Sequence, residues 1–287
     1  MSTGVLQAVV YSMRDFEVGG RYRSRSVGFD GTQRDGVVVT VGISVTRNEE
    51  ALLLEDLYQS LHTHGYDPFR TKSRDLTLPP GEVIDVLKRC NGEIGIYYHT
   101  DGVNLGFAEP THSAMLLQDL EAPPNDTVAI VDGADGYAKK LYRAADGMGL
   151  SPPPVAHCPQ SELYFPHLLL ADLAAGVIAD KLNQNRTAFY GTTTSDPIQV
   201  LDDTTPSSYQ GDWNKGYESV ARQSGRTPEP PFIQRRADTV RERVACWFHG
   251  YFGTTNGPAP DSDSVTPVIS RLQNLECREV ATWLSSV

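Results

Sequence analysis

Lysine is the scarce charge in this chain: six against 19 arginines, facing 22 aspartates and 14 glutamates, for a net charge of −11. That balance excludes a chain-wide phosphate-binding surface, which needs dense positive charge. Any nucleic-acid contact has to be local, or shielded by salt and metal. A lysine-poor, aspartate-rich composition suits a high-salt, halophile cytoplasm, where a charged surface keeps the protein hydrated. A GC-rich genome accounts for the arginine bias equally well. Cysteine is sparse too. Cys90, Cys158, Cys246 and Cys277 stand far apart with no paired spacing, which argues against zinc and for reduced core thiols. No run reaches the ~20 apolar residues of a membrane span. The beginning of the chain lacks a charged-then-apolar leader. The expectation is a soluble, cytoplasmic protein with no membrane partner. Neither a glycine-rich phosphate loop nor a nucleophile elbow is present, and no internal repeat is visible.

What is there is enough to build a core, since 39% of residues are hydrophobic and 9% aromatic. Residues 4–13 read as a short strand. Arg21, Arg23 and Arg25 alternate around Tyr22, either tracking a phosphate backbone or forming the wet face of a strand. Val27–Gln33 and Val37–Thr46 read as strands joined by a turn at Arg34-Asp35-Gly36, a hairpin. Asn48 caps an expected helix over Glu49–His62, with acids crowding its first turn. Gly81–Cys90 reads as a helix, Ile94–His99 as a buried strand, and Thr111–Leu120 as a helix. Thr127–Val131 is a β-branched strand ending on Asp132-Gly133. Tyr137–Met148 is a helix, and Val155–Cys158 a last strand. Alternating strands and helices with short links predict an α/β sheet flanked by helices. The division expected is 1–186 as the α/β domain, 187–231 as an irregular excursion, and 232–287 as a helical appendage packed on the domain. The excursion rests on a shift to Thr, Ser, Asp, Pro and Gly. The appendage rests on amphipathic stretches at Thr239–Phe252 and Pro267–Leu284.

Phe165–Leu182 is almost continuously apolar, with Pro166 where a first helical turn tolerates it. Such a helix is buried, yet Asp172 sits in its middle. A lone carboxylate in a core needs a metal, a cation or an opening to water; otherwise Asp172 faces out beside Ala174, Ala175 and Gly176. Asp30, near the end of the first strand, and Asp132, at the end of a later one, occupy comparable places. In open α/β sheets reactive groups collect beyond the carboxyl ends of strands. Carboxylates gathered there raise one another's pKa unless a cation intervenes. Mg²⁺ or Mn²⁺ is the natural solution.

These residues in this order resemble the RNase H-like superfamily, and in particular a branch found in phages and mobile elements. That branch opens on a strand reading Asp-Glu-Ser-Gly and carries a lysine in a loop after the first helix. It has an aspartate on the fourth strand and ends on a helix reading Gln-x-Ala-Asp-x-x-Ala-Gly. The matching residues are Asp30 in Phe-Asp-Gly-Thr, Lys72 in Thr-Lys-Ser, Asp132 in Ile-Val-Asp-Gly, and Asp172 in Leu-Leu-Ala-Asp-Leu-Ala-Ala-Gly. The resemblance covers roughly Ser26 to Leu182. It implies an RNase H-like mixed sheet and a two-metal nuclease acting on RNA or DNA. Asp30 would hold both ions, Asp132 the first and Asp172 the second, with Lys72 on a phosphate. Gly31 stands where the branch has glutamate. Glu55 or Glu50 on the first helix, or Glu162 before the last, are the candidates to supply that carboxylate. The alternative is a catalytically inactive RNase H-like module in which the aspartates are turn or capping residues. Such a module binds nucleic acid or a protein partner, for which Thr187–Pro231 is a candidate surface. Weaker signals read as structure: Asp132-Gly-Ala-Asp135-Gly lacks the later glutamate of a calcium loop. His62, His64 and His157 lack the second ligand pair of a zinc site.

Overall fold

The computed structural model describes residues 17–18, 21–22, 25–65, 78–99, 103–120, 122–133, 135–158, 161–163, 165–184, 198–201 and 207–226. The expected strand at 4–13, the appendage at 232–287 and the loop carrying Lys72 lie outside these residues. β1 (Arg25–Arg34) and β2 (Val37–Thr46) pair antiparallel over their whole length, from Arg25 with Thr46 to Arg34 with Val37. The reversal is made by Asp35 and Gly36, at φ 47° and 81°. Both left-handed values are what a two-residue turn matched to strand twist requires, and Asp-Gly supplies them at low cost. Nine of the ten residues of β2 are buried, so it is covered on both faces and lies at the centre of the sheet.

Then follow α1 (Arg47–Thr63), α2 (Pro80–Arg89), β3 (Glu93–His99), α3 (Leu105–Asp119), β4 (Thr127–Asp132), α4 (Asp135–Met148), β5 (Val155–Cys158), α5 (Pro166–Gln184), β6 (Ile198–Leu201) and α6 (Ser207–Ala221). The six-stranded order is β5-β4-β1-β2-β3-β6. Only β2 runs against the rest: β1 pairs parallel with β4, β4 with β5, and β3 with β6. Helix α5 covers one face, backed by α1 and α2, and α3, α4 and α6 cover the other. Phe29, Leu116, Val131, Leu141 and Trp213 form the core on the α3 side.

Glycines set how close the helices lie. On the α3 face, Cβ atoms at Gly42 and Gly95 would stand 3.1 Å and 2.5 Å from the Leu116 side chain. On the α5 face, one at Gly28 would stand 2.7 Å from the His167 ring. Both helices therefore settle deeper onto the sheet than any side chain in those places would allow.

Two elements depart from the sequence expectation. Helix α3 starts at Leu105, six residues before Thr111, and runs through Pro110. Asn104 caps it by accepting from the Gly106 amide at 2.9 Å. Pro110 has no N–H to give to the Gly106 carbonyl four residues back. Lys140 Nζ donates to that carbonyl instead, at 2.9 Å, so the chain stays helical. The stretch 187–231, read from composition as irregular, contributes β6 and α6. Its polar residues obscured a helix that packs on α3 and α4 through small residues, Gly147 against Ser219 and Gly216 against Met148.

Candidate functional site

The parallel ladder between β1 and β4 ends at Phe29 paired with Val131. The next residue on each strand is an aspartate, Asp30 and Asp132, so the register sets two carboxylates side by side where the ladder stops. Asp132 is held there by Ser161, whose amide and hydroxyl donate to its Oδ1 at 3.0 Å and 3.4 Å. Ser161 is buried and opens the short 3-10 turn Ser161–Leu163 that leads into α5.

Helix α5 brings the third acid. Leu168 and Asp172 are one turn apart on one face, which matches the two-residue step from Gly28 to Asp30 along the strand. Leu168 fills the space over Gly28, and Asp172 meets Asp30, to which it is hydrogen-bonded. Two carboxyls can share a hydrogen bond only if one of them carries a proton. Asp172 therefore faces inward and does not project to solvent.

The fourth acid is Glu109, on α3, which sequence reasoning missed. It lies over Gly31: a Cβ at that position would stand 2.7 Å from Glu109 Cγ and 2.8 Å from its Cδ. The Gly31 amide and the Tyr137 hydroxyl hydrogen-bond its carboxyl, and Lys140 is its nearby cation. Ser113 holds the Tyr137 hydroxyl in turn, at 3.1 Å. A glutamate side chain at position 31 and one at position 109 would compete for one volume.

The electrostatics follow from four acids in a partly dry place. Burial first, then Asp172, Glu109 and Asp132, raise the Asp30 pKa well above the ordinary aspartate range. Burial pushes Glu109 up to about 7, partly opposed by the Tyr137 hydrogen bond and the Lys140 charge. Burial and Glu109 likewise push the Tyr137 phenol up. Among the described residues no three His, Cys, Asp or Glu side chains are drawn up as a finished metal cage. Asp30 and Asp172 are in hydrogen-bond contact. The donor set is all carboxylate oxygen, which fits a hard divalent cation and does not fit zinc or copper.

Of the other sequence candidates, the structure describes two. Glu50 lies on α1 with an oxygen 3.4 Å from His167 Nδ1. Glu162 follows Ser161 on the 3-10 turn. Glu55 is on α1 with its side chain outside the described residues, and Lys72 is outside them entirely. No described helix is long and apolar enough to cross a membrane.

A mixed sheet in this order, its second strand alone reversed and helices on both faces, defines an RNase H-like α/β fold. No family model matches the chain, and no curated protein is detectably similar to it. Among solved structures it is similar to the ribonuclease H2 from Pyrococcus horikoshii OT3 at 16% identity and a TM-score of 0.42. That likeness covers 78% of this chain and 99% of the other.

Proposed function

We propose that this chain is a metal-dependent phosphodiester hydrolase of the RNase H-like type, a nuclease acting on RNA or DNA with Mg²⁺ or Mn²⁺. One observation carries the reading: Asp30, Asp132, Asp172 and Glu109 come from four separate elements to one spot, and burial and mutual repulsion push the Asp30 pKa up there. A fold does not gather acids this close for stability alone, because each costs free energy that a neutral side chain would not. The motif around Asp172 supports membership of the phage and mobile-element branch. Gly31 departs from that branch, and Glu109 supplies the carboxylate that Gly31 lacks.

The residues take distinct parts. Asp30, Asp132, Asp172 and Glu109 would hold the cations. Ser161 fixes the orientation of Asp132. Tyr137 and the Gly31 amide fix that of Glu109, and Lys140 keeps Glu109 nearer the ionised form it needs. Lys72 contacts the substrate phosphate. When bound, a pair of such ions supplies an activated water and stabilisation of the leaving oxygen.

The test is cleavage of single-stranded, duplex and hybrid substrates with Mg²⁺ or Mn²⁺, at low and high salt, beside Asp30→Asn and Asp172→Asn. Cleavage by the wild type that both variants lose is the expected result. No heat of Mn²⁺ binding, or variants as active as the parent, removes the proposal. A second reading is favoured by the hold of Ser161 on Asp132: a catalytically inactive RNase H-like module that binds nucleic acid or a protein partner. Binding without metal uptake or cleavage would decide for it.

A further inference from the structure

One helical turn beyond Glu109, on the same α3, His112 is fully buried with both ring nitrogens bonded. Nδ1 lies 2.9 Å from the hydroxyl of Thr40, itself fully buried, and Nε2 lies 2.9 Å from Nδ1 of His99. Burial, then the neighbouring His99, hold the His112 pKa well below its usual value, so the ring is neutral. A neutral imidazole has one donor and one acceptor. A hydroxyl and a second imidazole can complement either arrangement. The ring also stacks on Tyr97 at 5.6 Å between centroids and lies tilted against Trp213 of α6 at 4.7 Å. His99 stacks on Trp213 at 3.9 Å.

Such a network in a core that could have been apolar is costly unless it specifies an arrangement. The arrangement it specifies is legible in the register. Thr40 is the cross-strand partner of Gly31, and Gly31 is the residue Glu109 lies over. The rung Gly31–Thr40 therefore meets Glu109 at one end and His112 at the other, three residues apart on the helix. Side chains at that spacing share a face.

We propose that His112, tied to Thr40 on the sheet and to His99 beside α6, is the positioning residue that fixes the height and rotation of α3 over β1, and so places Glu109 in the carboxylate cluster. This rests on the cluster being the cation site. Leu116 sets only how close the helix comes, since apolar packing on glycine tolerates sliding. The directional bonds to Thr40 and His99 remove that freedom.

The experiment is calorimetric titration of Mn²⁺ into the full chain, with chemical denaturation alongside. Thr40→Val keeps the shape of the side chain and leaves His112 Nδ1 without its partner; Thr40→Ser restores the hydroxyl. Glu109→Gln and Thr40→Val should each weaken Mn²⁺ binding by about tenfold, and Thr40→Ser should stay within about twofold of wild type. The double variant Thr40→Val/Glu109→Gln should bind no more weakly than Glu109→Gln alone, because both changes remove one ligand. Should Thr40→Val not fold, His99→Phe takes its place, keeping the stack on Trp213 and removing the ring nitrogen. A Thr40→Val variant that is less stable yet binds Mn²⁺ as wild type, or losses that add in the double variant, overturns the positioning role and leaves the carboxylate site standing. Wild-type protein that takes up no Mn²⁺, or Glu109→Gln binding as wild type, overturns the site and this proposal together.

Discussion

Glu109 carries the clearest consequence at the scale of one residue. Its pKa is raised from 4.5 to about 7 by burial, so the folded protein binds a proton there that the unfolded chain has released. The sign follows: the native state holds more protons between those values, and stability falls as pH rises. The contribution is fully present below about 4.5 and is lost on passing through about 7. The shift corresponds to roughly 3 kcal/mol as an upper figure. Urea denaturation of the metal-free protein at pH 5 and pH 8 should show this loss, and Glu109→Gln should reduce it. Asp30, raised for the same reason, acts in the same direction. The aspartates were readable in the sequence because each is conspicuous, at a strand end or inside an apolar helix. Glu109 was not, because the proline after it marks a helix boundary under ordinary rules. Nothing local betrays that a lysine 30 residues on supplies the missing donor.

That substitution of donors defines the prediction at the scale of the element. The Gly106 carbonyl is bonded by Lys140 Nζ and not by the residue at 110. Lys140→Met should leave it without a partner and destabilise the protein by about 1–2 kcal/mol. Adding Pro110→Ala returns an N–H to the helix. The double variant should recover much of the loss in urea midpoint, a coupling that independent sites would not show. Strands and helices with a plain signal were legible. The Asp-Gly turn, the β-branched runs and the apolar α5 stand within a residue or two of their expected places. What was illegible depends on contacts distant in sequence. β6, four residues added to the edge of β3, is too short to show a period, and in α6 the helical spacing of Trp213, Tyr217 and Val220 is masked by the Ser, Asp and Gly around them.

For the whole molecule, the acids set stability against the proposed cation binding. Asp172→Asn removes a repelling charge and keeps a hydrogen-bonding partner for Asp30. The metal-free variant should therefore melt above the wild type at neutral pH, as changes that relax a strained site often do. Mn²⁺ at one hundred times its dissociation constant should stabilise the wild type by about 2.7 kcal/mol and leave the variant's melting temperature unchanged. Thermal melts of both proteins with and without metal test this directly.

Helix α6 makes the cluster depend on residues outside the stretch that supplies it. Its Tyr217 hydroxyl accepts from the Asn104 amide at the start of α3, and its Trp213 lies against His99 and His112. A polypeptide ended after Gln184 would keep all four acids and lose the clasp over the helix that presents one of them. Inheritance of this chemistry thus requires a longer unit than a tally of its acids suggests, and a recombination joint between α5 and α6 would pass on the acids without their alignment.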